Sequence, residues 1–167
     1  MRPPGRTQSL LVLACAAASA LLAASQFTDM FELTPPGGEA LRVVESADQH
    51  GYAILVLAIL SLVLLVVGLS ARSEGVSQGA FVAVAVCGLI SLLIFLLLDL
   101  PDANSIGALD DESFIDAKAE PVAGFWFELV GALVLTGCGA ALATLRQTPR
   151  QETSGSPEPG AAKTETG

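Results

Sequence analysis

Four long stretches of this chain carry almost no charge, and that feature excludes most soluble folds. They cover residues 9–25, 52–69, 80–98 and 122–145. Each approaches the ~20 residues that a helix rising 1.5 Å per residue needs to cross ~30 Å of hydrocarbon. The second is an almost unbroken run of Leu, Val, Ile and Ala, too long for a buried strand. Backbone groups in lipid must find their hydrogen bonds within the protein, which makes such stretches helices. The apolar fraction of 52% exceeds the roughly 45–50% of soluble domains. The expected fold class is all-α: a four-helix transmembrane bundle with antiparallel neighbours, two acidic extracytoplasmic loops and a disordered cytoplasmic tail.

The segments between these stretches set the connectivity. Residues 1–8 form a short N-terminus with Arg2 and Arg6 ahead of the first stretch. That stretch ends in small residues, as a cleaved signal peptide does, but at about 17 residues it is longer than the usual signal core of about 7–15. A retained span is the expectation. Residues 26–51 are polar and broken by Pro35-Pro36-Gly37-Gly38, a sequence no helix interior tolerates. Within them, Leu41, Val44 and Ala47 lie at helical spacing and predict a surface helical turn over 39–48. The connector 71–79 is short, which makes the second and third spans antiparallel neighbours. In the second long loop, 99–121, Asp110 or Asp111 is placed to cap a short helix running to Ala119, with Pro121 ending it. Residues 146–167, rich in Pro, Gly, Ser, Thr and Glu, have too little apolar surface to order.

Charge decides the expected orientation. Arg2, Arg6, Arg72, Arg146, Arg150 and Lys163 fall on one side, and only Arg42 and Lys118 on the other. Basic short loops stay in the cytoplasm, so both termini are expected inside a cell membrane and both long loops outside. The outer loops then gather Asp29, Glu32, Glu39, Glu45 and Asp48 with Asp99, Asp102, Asp110, Asp111, Glu112, Asp116 and Glu120. A net charge of -9 with eight scattered basic residues excludes a conventional nucleic-acid binder. The expected partners are the lipid bilayer and other membrane proteins or a second copy.

The layout of an arginine-flanked first span, a Gly/Pro-broken outer loop and a third span running into Leu98-Asp99-Leu100-Pro101-Asp102 continues into a last span. That span opens Ala123-Gly124-Phe125-Trp126-Phe127-Glu128-Leu129 and closes on Leu145-Arg146. This arrangement resembles small, uncharacterised four-span membrane proteins common in high-GC Gram-positive bacteria. The resemblance covers most of the chain except the tail and implies topology alone.

Few residues carry chemistry. Glu128 lies one to two turns inside the last span, where a carboxylate usually faces the protein interior or a watery cavity. The simpler alternative places it at the outer interface among Phe125, Trp126 and Phe127, reaching water. Gly131, Ala132 and Gly139 share its helical face and offer a surface for close helix packing. Asp102, Asn104, Gly107 and Asp110 follow part of a calcium-loop pattern, but Ile106 takes one ligand position and Ser113 the twelfth, with Glu112 one place early. A solvated acidic loop is the plainer reading of those residues. Cys15, Cys87 and Cys138 lie at similar depths in their spans; three thiols make a poor zinc site, and small buried hydrophobes are the expectation. His50, the single histidine, is read as an interfacial polar cap.

No phosphate-binding glycine loop, HExxH or GxSxG occurs, so neither an enzyme nor a cofactor is expected. The expected function is that of a non-enzymatic accessory, scaffold or envelope-interacting subunit. The alternative is a small transporter or cation-responsive channel using Glu128 and the acidic outer loops.

Overall fold

A computed structural model describes residues 5–34, 42–45, 52–103, 106–110 and 113–145. Four helices are long and apolar enough to cross a membrane: α1 (Arg6–Ser25), α2 (Ala53–Ser70), α3 (Glu74–Ile94) and α4 (Ala123–Leu145). They form a closed ring in which α4 packs on α1 and α3, and α2 packs on the same two from the opposite side. The protein is a multi-pass membrane protein with a helix bundle as its membrane part. The tail and N-terminal residues 1–4 lie outside the described residues, as does His50.

The bundle is apolar on its outside. On α2, Val56, Ile59, Val63 and Val66 are exposed, while Ala58, Ser61 and Gly68 face inward. Helices gain little by hiding Leu from lipid, so small inward residues that let backbones approach supply the association instead. Gly88 of α3 has the Thr136 backbone nitrogen 2.6 Å from where a Cβ would stand, and Gly139 of α4 has that of Ala85 at 2.7 Å. On the other flank, a Cβ on Gly131 would sit 2.9 Å from Leu22 of α1. Polar links cross between helices as well: the Ser19 and Ser61 hydroxyls lie 2.7 Å apart in the interior, and Ser77 donates to the Gly68 carbonyl at 2.7 Å.

The third span begins earlier than its apolar run predicts. Ser73 accepts a hydrogen bond from the Val76 N–H and caps α3, with Glu74 in the first turn, so the connector between spans shrinks to a few residues. At its far end α3 continues into a π-helical turn, Phe95–Asp99, and one further turn, Leu100–Asp102. The Leu100 N–H bonds to the Phe95 carbonyl, five residues back. Pro101 supplies the reason: it has no N–H and its ring clashes with the carbonyl four residues before it, so a widened turn accommodates it.

The all-α expectation holds for the membrane part and not for the loops. Strands β1 (Asp29–Thr34), β2 (Arg42–Glu45), β3 (Ile106–Asp110) and β4 (Ser113–Pro121) form one antiparallel sheet in the order β2-β1-β4-β3. The helical turn expected over 39–48 is therefore replaced by β2, where Val43 and Val44 favour extended backbone and pair with β1. The short helix expected up to Ala119 is β4, whose Asp116-Ala117-Lys118-Ala119-Glu120 alternates with the period of a strand.

The sheet is fixed to the bundle at three points. A register irregularity between Asp29 and Phe31 turns the consecutive Met30 and Phe31 inward, as a bulge permits. Phe31 and Phe95 pack on Phe125, with ring centroids 5.8 and 4.6 Å away. The Val122 N–H bonds to the Met30 carbonyl at 3.0 Å, pinning the passage from β4 into α4.

Adding one methyl separates packed from open glycines. Gly139→Ala should lower stability by ~1–3 kcal/mol through overpacking. Gly137→Ala, with nothing within 4 Å of its Cβ, should be neutral or stabilising by up to ~1 kcal/mol from helix propensity. Unfolding midpoints in detergent micelles check the contrast, and equal effects at the two positions would contradict the packing.

Candidate functional site

The buried carboxyl and carboxamide groups of the bundle gather at its sheet-facing end. Three elements meet there: the end of α1, the π turn of the third span, and the first turns of α4. The α1 terminus is closed by its own sequence. Ser25 donates to the Leu22 carbonyl at 2.8 Å, and Thr28 donates to the carbonyls of Ala24 and Ser25 at 3.3 and 3.1 Å. These bonds satisfy end carbonyls that a helix leaves open and leave only three residues between the end of α1 and the start of β1.

Glu128 is 0% exposed, as is Asp99, and Gln26 is 1% exposed. The contacts of α4 place the three within about one turn of one another at the sheet-facing end. Against α1, Gly131 meets Leu22 and Gly124 meets Thr28 and Asp29, which sets Glu128 level with the turn at Ser25 and Gln26. Against α3, Gly88 meets Thr136 and Phe95 meets Phe125, which sets Asp99 about one turn beyond Glu128. An amide and two carboxyl groups from three different elements thus share the sheet-facing end of the bundle interior.

The alternative in which Glu128 reaches water among Phe125, Trp126 and Phe127 does not hold. Because α4 starts at Ala123, Glu128 falls on the inward face with Gly124, Gly131, Ala132 and Leu135, while Trp126 and Phe127 point out. Ala132 is fully buried and Gly139 lies against α3. Gln26 and Asp99 escape a sequence reading because each sits beyond the end of an apolar run. The π turn Phe95–Asp99 keeps Asp99 within the third span.

Among the cysteines, Cys15 of α1 and Cys138 of α4 lie within hydrogen-bonding reach, and Cys87 is buried in α3. The partial calcium pattern is divided by the sheet. Asp102 ends the turn after the π segment, Ile106–Asp110 is a paired strand, and Asn104 and Glu112 lie outside the described residues. Among the described residues no three His, Cys, Asp or Glu side chains converge as a metal ion would require.

The two ends of the bundle differ chemically. Phe27, Tyr52 and Trp126, at the sheet-facing ends of α1, α2 and α4, are 69%, 59% and 52% exposed. Aromatic rings of this kind mark the headgroup level of a bilayer. Arg6 and Arg72 stand at the opposite end. Comparison of the chain with protein-family models, with curated proteins and with solved structures finds no match.

Accessibility separates this interior from the loops around it. In a background with Cys15, Cys87 and Cys138 replaced by alanine, Gln26→Cys, Asp99→Cys and Glu128→Cys should resist a membrane-impermeant maleimide, and Asp29→Cys should react. Rapid labelling of Glu128→Cys would refute its burial. With the native cysteines present, mild oxidation should join Cys15 to Cys138 within one chain, detected as a linked peptide by mass spectrometry.

Proposed function

We propose that the protein is a non-enzymatic accessory subunit of the cell membrane that presents its four-stranded sheet on the extracytoplasmic side to another envelope protein. The observation that carries this reading is the construction of the sheet. Two loops separated by two spans pair through β1 and β4 and are pinned to the bundle by Phe31, Phe95 and Phe125. Such bracing holds a surface still relative to the membrane, which is what a docking partner needs. The outer strands β2 and β3 each have a neighbour on one side only within the sheet, and unpaired strand edges are a recurrent means of adding a partner's strand.

The extracytoplasmic placement rests on the position of Arg6 and Arg72 at the end away from the sheet, following the preference of basic segments for the cytoplasm. A photo-crosslinking residue at Ala108 in β3 should give one discrete adduct with a partner protein in native membranes, and the same residue at the lipid-facing Leu62 should not. If both positions yield the monomer alone, the subunit reading fails. Impermeant labelling of a cysteine at Ser113 in intact cells should succeed, whereas one at Ser73 should require permeabilisation.

A second reading has its own observation: Gln26, Asp99 and Glu128 are buried at the sheet-facing end of the bundle beside a π turn, a feature common at functional sites. Carboxyl groups so placed serve proton or cation transfer in membrane proteins. Under this reading, proteoliposomes containing the protein conduct protons or cations, and Glu128→Gln removes the flux. A wild-type protein that conducts neither eliminates it.

A further inference from the structure

We propose that Cys15 and Cys138 form a redox site inside the membrane: a quinone dissolved in the bilayer takes two hydrogen atoms from the pair, and the resulting disulfide staples α1 to α4.

The register of the two helices brings the thiols together. Gly124 lies against Thr28 and Asp29, and Gly131, seven residues on, lies against Ala18 and Leu22. A further seven residues, about two turns along the same face, bring Cys138 opposite Cys15, and the two thiols are within hydrogen-bonding reach. The helices come close because Gly131 has no side chain: a Cβ there would stand 3.1 Å from the Ala18 carbonyl oxygen. A disulfide needs Cα separations of about 4.4–6.8 Å, a span that suits helices packed through small residues. The turn bearing Cys15 is also gripped from its other side. The Ser19 hydroxyl donates to the Cys15 carbonyl at 3.0 Å and lies 2.7 Å from the Ser61 hydroxyl of α2. Cys87 belongs to α3, which meets α4 through Thr136 and Gly139.

The position of the pair selects its oxidant. Cys15 is fully buried in the middle of α1 and shares one apolar cluster with Ala18, Leu22 and Leu135. Cys138 is partly exposed, and at this depth the exposure is to acyl chains. Charged oxidants such as glutathione disulfide are costly to bring into hydrocarbon. The acceptor must therefore dissolve in lipid, and it must take protons along with electrons so that no charge is left behind. A quinone meets both conditions. Cys138 adds to a carbonyl carbon of the quinone and gives its proton to that oxygen. Cys15 then attacks the Cys138 sulfur, the carbon–sulfur electron pair returns to the ring, and the Cys15 proton settles on the second oxygen. Two S–H bonds break, one S–S bond forms, and the quinone leaves as the quinol.

The staple bears on the sheet. Helix α1 leads into β1, β4 leads into α4, and β1 pairs with β4. In the dithiol form packing alone holds α1 against α4 beneath that pair, and oxidation adds a covalent tie on the same line of contacts. The site stands independently of either functional reading above.

The test uses the full reduced chain in anaerobic vesicles with one of three oxidants at equal concentration: decylubiquinone in the bilayer, a phospholipid hydroperoxide in the bilayer, or glutathione disulfide in the buffer. The quinone should produce the Cys15–Cys138 linked peptide about tenfold faster than glutathione disulfide, because access governs the rate, and should yield one quinol per disulfide. Cys15→Ser and Cys138→Ser should each abolish the link and the quinol, and Cys87→Ala should keep both. Oxidised wild-type chain should unfold in micelles at a higher temperature than the reduced chain, whereas Cys138→Ser, given the same treatment, should not change. Oxidation by glutathione disulfide as fast as by the quinone, or by the hydroperoxide in preference to the quinone, would overturn the proposal. So would a link between two chains, or an unfolding midpoint that full oxidation leaves unmoved.

Discussion

Lipid gives a helix no hydrophobic reason to prefer another helix over an acyl chain, so a bundle in a membrane holds together where backbones come close. In this protein that closeness depends on α4. Its inward face carries Gly131 against α1 and Gly139 against α3, and Gly88 of α3 makes room for Thr136. A side chain at any of these points would push the last span away from the neighbour it faces. The same helix is continuous with β4 and bears Phe125, the ring on which Phe31 and Phe95 rest. Separation of α4 would therefore release the sheet as well as the bundle.

The spans were legible because their signal is energetic and local. Runs of Leu, Val and Ile at 52–69 and 80–98 permit only one structure in lipid, and the observed helices end within a few residues of them, except where Ser73 caps α3 early. The sheet was hidden for the opposite reason. Its central pairing joins Glu32 to Glu120 and Leu33 to Ala119, residues almost ninety positions apart, and nothing in either segment names the other. Spacing in 39–48 suited a helix, and tertiary pairing overrode it, as is usual for strands. The alternation along β4 was present in the sequence and was outweighed by the capping pattern at Asp110 and Asp111.

The interior polar groups follow a similar division. Glu128 stood out because it interrupts an apolar helix, and its burial needed the start of α4 to be fixed to the residue. Gln26 and Asp99 read as loop residues because hydropathy falls just before them. The π turn at Phe95–Asp99 returns Asp99 to the interior, so Pro101 is the residue that converts a loop carboxylate into a buried one. That is a case of backbone geometry, rather than side-chain chemistry, determining where a charge-bearing group resides.

The order β2-β1-β4-β3 also bears on how the chain is made. The first hairpin emerges from the ribosome well before the second, and its β1 edge must wait, unsatisfied, until two further membrane segments have been threaded. Only then can the two hairpins close into one sheet. Biogenesis is thus finished by the last portion synthesised, and the chain severed between α2 and α3 would give two halves whose hairpins are complementary, a built-in means for each to find the other.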